Sequence, residues 1–107
     1  MKMFGRVTDR RGLKILSAKD RITQLVKAVG GDTSQIRDKY NGGFEYHERH
    51  GALDIRITNN ESFGCPWVDI YHFETGPVAL YRVTDDAKAA ELIEEYREMF
   101  RETADAH

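Results

Sequence analysis

Cysteine, proline and long apolar runs are all scarce in this chain of 107 residues, and each shortage excludes something. One cysteine, Cys65, cannot build an internal disulfide framework, so a hydrophobic core must hold the fold, and a reducing cytoplasm is the expected setting. Two prolines, Pro66 and Pro77, leave no proline-rich linker. No apolar stretch approaches the roughly 20 residues of a membrane span, and the opening Met1-Lys2-Met3-Phe4-Gly5-Arg6 lacks the apolar block of a signal peptide, so no membrane association is expected. The glycines follow no phosphate-binding order. GGDTSQIRDKYNGG lacks the P-loop lysine and the strand–glycine–helix order of a dinucleotide site. Carboxylates are plentiful, but none stands beside a nucleophile.

Hydrophobic residues make up 40% of the chain and charged residues 32%, a globular balance that fits one domain over residues 1–107. The net charge of −2 hides an asymmetry. Residues 1–31 carry a balance of +6 and residues 84–107 a balance of −5. One end is suited to a polyanion and the other to a basic surface, unless the two ends lie together and neutralise each other.

Helical periodicity appears twice. Ser17 reads as an N-cap, and Ile22, Leu25, Val26 and Val29 recur at i, i+3, i+4, i+7, which predicts a helix over 18–29 ended by Gly30-Gly31. Thr84 reads as the cap of a second helix over 85–101, with Ala89, Leu92, Ile93, Tyr96, Met99 and Phe100 as its buried stripe and an acidic outer face. Between them, Asp32 or Thr33 is placed to cap a shorter helix carrying Ile36 and Tyr40.

The middle alternates at the period of strands. With a turn at His50-Gly51, FEYHERHGALDIRI forms a hairpin in which Glu45 faces Arg56 and His47 faces Asp54, while Phe44, Tyr46, Leu53, Ile55 and Ile57 share the other face. With a turn at Thr75-Gly76, residues 67–83 form a second hairpin with Phe73 opposite Val78 and Tyr71 opposite Leu80. Residues 2–8 and 12–16 are candidate strands joined at DRRG. The predicted fold class is therefore α+β: a mainly antiparallel sheet of four to six strands, with hairpins at 44–58 and 67–83, packed by helices at 18–29 and 85–101.

Several constellations could carry chemistry. His47 and His50 are three apart, and on a strand that spacing sends them to opposite faces, so the pair does not form the i, i+4 helical zinc signature. A set of His47, His50, Cys65 and His72 matches no ordinary zinc spacing. Cys65 precedes Pro66 and so favours extended backbone rather than the helix N-terminus that activates a thiol, which argues against a nucleophile with His72 as base. No metal, cofactor or catalytic residue is expected, and the chain reads as non-enzymatic.

Two binding patterns remain. Trp67, Tyr71 and Phe73 alternate on one face of the second hairpin. Because Val68, Ile70, Tyr81 and Val83 make its other face apolar too, the few remaining elements are expected to leave one face open to a partner. Together with Glu91, Glu94, Glu95 and Glu98 these aromatics form the expected partner-binding set, suited to a protein with a basic surface or to a second copy of the chain. Inhibitors, immunity proteins and phage-encoded modulators are small non-enzymatic chains of this kind, by analogy alone. The alternative is nucleic-acid binding by a degenerate helix-turn-helix at 18–41, using Arg10, Arg11, Lys14, Arg37 and Lys39.

Overall fold

The computed structural model describes residues 7–8, 14–15, 17–39, 42–60, 62 and 65–105. It is an α+β arrangement. The chain runs β1 (Val7–Thr8), β2 (Lys14–Ile15), α1 (Ala18–Ala28), a 3-10 turn (Thr33–Gln35), β3 (Arg37–Lys39), β4 (Gly43–His50), β5 (Leu53–Asn60), β6 (Trp67–His72), β7 (Gly76–Arg82) and α2 (Asp86–Asp105). β3 to β7 form one antiparallel sheet of five strands in chain order, while β1 and β2 pair separately. The predicted N-terminal strands at 2–8 and 12–16 are thus present where described. Arg10, Arg11 and Tyr40, and the side chains of Lys14, Phe100 and Glu102, lie outside the described residues. Among the described residues no helix is long and apolar enough to cross a membrane.

Helix α1 starts as its sequence dictates. Ser17 takes extended backbone and its hydroxyl accepts the Asp20 amide at 3.1 Å. The stripe Ile22, Leu25, Val26 and Val29 is buried. The helix ends on Gly30, whose φ of +75° few other residues adopt. Gly31 serves a different need, because a Cβ there would lie 2.6 Å from the Tyr46 hydroxyl. Its bare backbone lets the Tyr46 ring close over the end of α1.

The shorter helix expected after Gly31 does not form. Asp32 accepts the Ser34 amide at 2.9 Å, but the turn it caps lasts only three residues, and Arg37–Lys39 then pair with β4 as an edge strand. Two apolar positions cannot hold an amphipathic helix against the core, whereas strand pairing satisfies the backbone directly. The helix-turn-helix expected at 18–41 therefore has no recognition helix.

Both hairpins keep their predicted faces and shift their registers by two residues. His50 pairs with Leu53 across a Gly51-Ala52 turn, so Tyr46 faces Ile57, Glu45 faces Thr58 and His47 faces Arg56. In the second hairpin Trp67 faces Arg82 and Asp69 faces Leu80, and a bulge at Val78 then brings Tyr71 against Pro77. A shift of two preserves side-chain parity, which is why the faces survive the error.

Parity sorts the sheet. One face presents Tyr46, Leu53, Ile55, Ile57, Val68, Ile70 and Val83, and both helices cover it with Ile22, Leu25, Val26, Ala89 and Ile93 to form the core. Helix α2 is capped by Asp85, which accepts the Ala87 amide at 2.9 Å, rather than by Thr84. It also runs past the predicted end, to Asp105. Arg21 of α1 ties down its first turn through two bonds to the Asp86 carboxylate, at 3.0 and 2.5 Å.

Candidate functional site

With both helices on one side, the opposite face of the sheet carries no covering element among the described residues. Trp67, Tyr71 and Phe73 stand there, as strand parity requires, and Leu80 joins them from β7. Leu80 is 68% exposed, and Tyr71 and Phe73 are also open to solvent. Tyr71 meets Phe73 edge to face with ring centroids 6.2 Å apart, and the Arg49 guanidinium lies over the Phe73 ring at 4.2 Å. Such contacts hold large rings in place on a solvated surface. Nearby, Glu45, Arg56, Thr58, Trp67, Asp69 and Leu80 line a shallow cleft of about 340 Å³.

Charge surrounds these rings. His47 is hydrogen-bonded to Asp54, and Arg56 lies 3.5 Å from the same carboxylate. Glu45 is bracketed by Lys39 at 3.2 Å and Arg56 at 3.3 Å. The two charge pairs expected from the sequence are thus real contacts, but they reach diagonally across the strands rather than directly.

The predicted partner-binding set is divided by the fold. Glu91, Glu94, Glu95 and Glu98 are exposed on α2, in the layer that covers the other face of the sheet. Those glutamates and the aromatics Trp67, Tyr71 and Phe73 do not share a surface, so the glutamates cannot be the rim of the aromatic patch. Of the residues proposed for nucleic acid, Arg37 and Lys39 stand on β3, at the open face's edge.

The remaining sequence candidates are dispersed. His47 is on the open face and His50 on the covered one, where its Nε2 lies 2.6 Å from Glu48. Cys65 accepts a bond from Arg82 Nε at 3.3 Å, at the far end of β6 from His72. His72 Nδ1 accepts the Glu74 amide at 3.1 Å. Among the described residues no group of three or more His, Cys, Asp or Glu is placed to hold a metal ion.

Sequence reasoning missed one polar cluster. Arg97 donates from Nε and Nη2 to the Glu48 carboxylate, both at 2.8 Å, and from Nη1 to the Val29 carbonyl at 2.7 Å. Tyr46 donates its hydroxyl to the same carboxylate at 2.9 Å. Burial raises the Glu48 pKa, but the bonds from Arg97, His50 and Tyr46 outweigh it and hold the carboxyl at about 2. Burial and the adjacent carboxylate push the Tyr46 hydroxyl up to about 12. The signal was in the spacing: Glu48 falls on the apolar parity of β4, and Arg97 follows Ile93 by four residues. The cluster clamps α2 to the sheet and to the carboxyl end of α1.

No protein-family model matches the chain, and neither the curated proteins nor the solved structures contain a match.

Proposed function

We propose that this protein is a non-enzymatic binding module that docks another protein on the open face of its sheet and modulates it. One observation carries the reading: Trp67, Tyr71, Phe73 and Leu80 share a solvated sheet face while a complete core lies behind them. Aromatic side chains set among charged ones are the composition of interface anchors, and grouped exposed apolar side chains mark interaction sites. The described residues offer no convergent acid, base and nucleophile, so binding accounts for this surface better than chemistry does.

The test is affinity capture from the native cell, with and without nuclease, using the wild-type chain, Tyr71→Ala and Leu80→Asp. A protein retained after nuclease and lost with either substitution supports the reading. Capture that ignores both substitutions, or disappears with nuclease, counts against it. Both positions are exposed, so thermal melting is expected to show folded variants.

A further inference from the structure

We propose that the surface docked on the open face is acidic: a protein segment bearing carboxylates, with one apolar side chain seated in the cleft between Trp67 and Leu80. This rests on the protein-binding reading above and names the chemistry of the partner.

The sheet gathers the cations of the middle of the chain on one face. Between residues 32 and 83 the chain has five Lys or Arg residues: Arg37, Lys39, Arg49, Arg56 and Arg82. The registers place every one on the open face. Three carboxylates share that face, Glu45, Asp54 and Asp69, but height separates the signs. The side chains of Asp54 and Glu45 are only 7% and 17% exposed, whereas those of Lys39 and Arg56 are 53% and 43% exposed. The acids lie low and orient the long cations, whose heads form the outermost layer. On the other side of the sheet α2 is acidic, with Glu91, Glu94, Glu95 and Glu98 exposed along it, while α1 exposes Lys19 and Lys27. The exposed cations of the open face therefore favour an acidic partner, and complementary potential acts on both its approach and its register.

Shape narrows the class of polyanion. The cleft is walled by an aliphatic side chain, Leu80, and an indole, and two of its lining groups are the carboxylates Glu45 and Asp69. A nucleic-acid strand carries a charge on every unit and would have to lay phosphates beside those carboxylates. A peptide can set a neutral side chain into the cleft and spend its carboxylates on Arg37, Lys39, Arg56 and Arg82. Leu80 also suits an apolar side chain better than a base, which gains most from aromatic stacking.

The probe is a library of random dodecapeptides displayed on phage and panned against the immobilised full chain. Enriched sequences are expected to carry more Asp and Glu than Lys and Arg, with a shared aliphatic or aromatic residue. A synthetic enriched peptide should change the emission of Trp67, the sole tryptophan of the chain. Leu80→Asp and Arg56→Glu should each weaken that peptide by about tenfold or more, as loss of an interface anchor does, with melting curves confirming that both variants fold. Enrichment of basic or neutral peptides, no enrichment, or affinity indifferent to both variants would overturn the proposal. So would tighter binding of oligo(dT) at physiological salt, or self-association abolished by Leu80→Asp. Basic peptides that still require Leu80 would remove the acidic partner and leave the docking face intact.

Discussion

Glu48 and Asp54 lie in the same hairpin, six positions apart and on opposite faces of one sheet, and their surroundings differ in kind. Glu48 faces the helices, where Arg97, Tyr46 and His50 converge on it. Asp54 faces solvent-side neighbours, with His47 reaching over it from the adjacent strand and Arg56 from two residues along its own. On the covered face one carboxylate joins three elements in a closed cluster. The open face instead shares its charge among long side chains anchored only at their strands. The contrast separates two jobs that the same alternating sequence performs: holding the fold, and presenting a surface. No buried side-chain nitrogen or oxygen among the described residues lacks a hydrogen bond, so the covered face carries its polar groups without an unsatisfied one.

The sharpest way to break this division is to truncate one residue on each face. Ile55→Ala, fully buried beneath the helices, should cost about 4 kcal/mol through lost burial and the cavity left behind. Tyr71→Ala, on the open face, should cost less than about 1 kcal/mol in the same urea titration. Equal costs would mean that the aromatic face is core after all.

Next in size is the Glu48 clamp. Arg97→Leu should destabilise by about 2–3 kcal/mol at neutral pH, because it leaves a partly buried carboxylate without its main partner. Since the folded-state pKa of Glu48 lies below its ordinary value of 4.5, at about 2, its contribution is present above pH 4.5 and fades as pH falls toward 2. That contribution is on the order of 2 kcal/mol once partial solvation is discounted. A urea midpoint followed from pH 6 to 2 should fall steeply in the wild type and more gently in Glu48→Gln. Parallel curves for the two would exclude the clamp as the source.

Gly31→Ala should cost about 1–2 kcal/mol, since the added methyl meets the Tyr46 ring and Val26 and at least one must move. Because Tyr46 donates to Glu48, the variant should also move the acid limb of that pH profile, which a purely local clash would not do. The smallest effect belongs to the open face. Exchanging Glu45 and Arg56 should not restore the few tenths of a kcal/mol lost by either single reversal. The exchange sets arginine beside Lys39 and glutamate beside Asp54 and Asp69. Full restoration would point to an isolated pair instead of a shared field.

Much of this arrangement was legible because it rests on periodicity. The stripe of α1, the stripe of α2 and the two faces of β4 and β5 follow from spacings of 3.6 and 2, which survive errors elsewhere. Register was not legible. The placement of Gly51 as the first rather than the second turn residue, and the extra residue Val78, depend on local backbone geometry that alternation does not encode. The segment after Gly31 departs from the expected helix because a cap and two apolar residues signal a helix start without specifying its length. The choice between the Val68–Ile70 face and the Trp67–Tyr71 face was open in the sequence because both are apolar, and only the placement of two helices on one side decides it.

The bulge at Val78 has a consequence for how the molecule behaves in a crowd. β7 is an edge of the sheet, and an apolar edge is a template on which a neighbouring chain can add a strand. Here the regular ladder is broken at Val78, Pro77 offers no amide to a newcomer, and Arg82 places a charge near the other end. The exposed Leu80 can therefore meet a partner with its side chain while the backbone beside it is poorly suited to recruit one. Deleting Val78 would straighten the edge while leaving Pro77 opposite Tyr71 and Gly76 opposite His72, and the expected cost is aggregation rather than loss of the core.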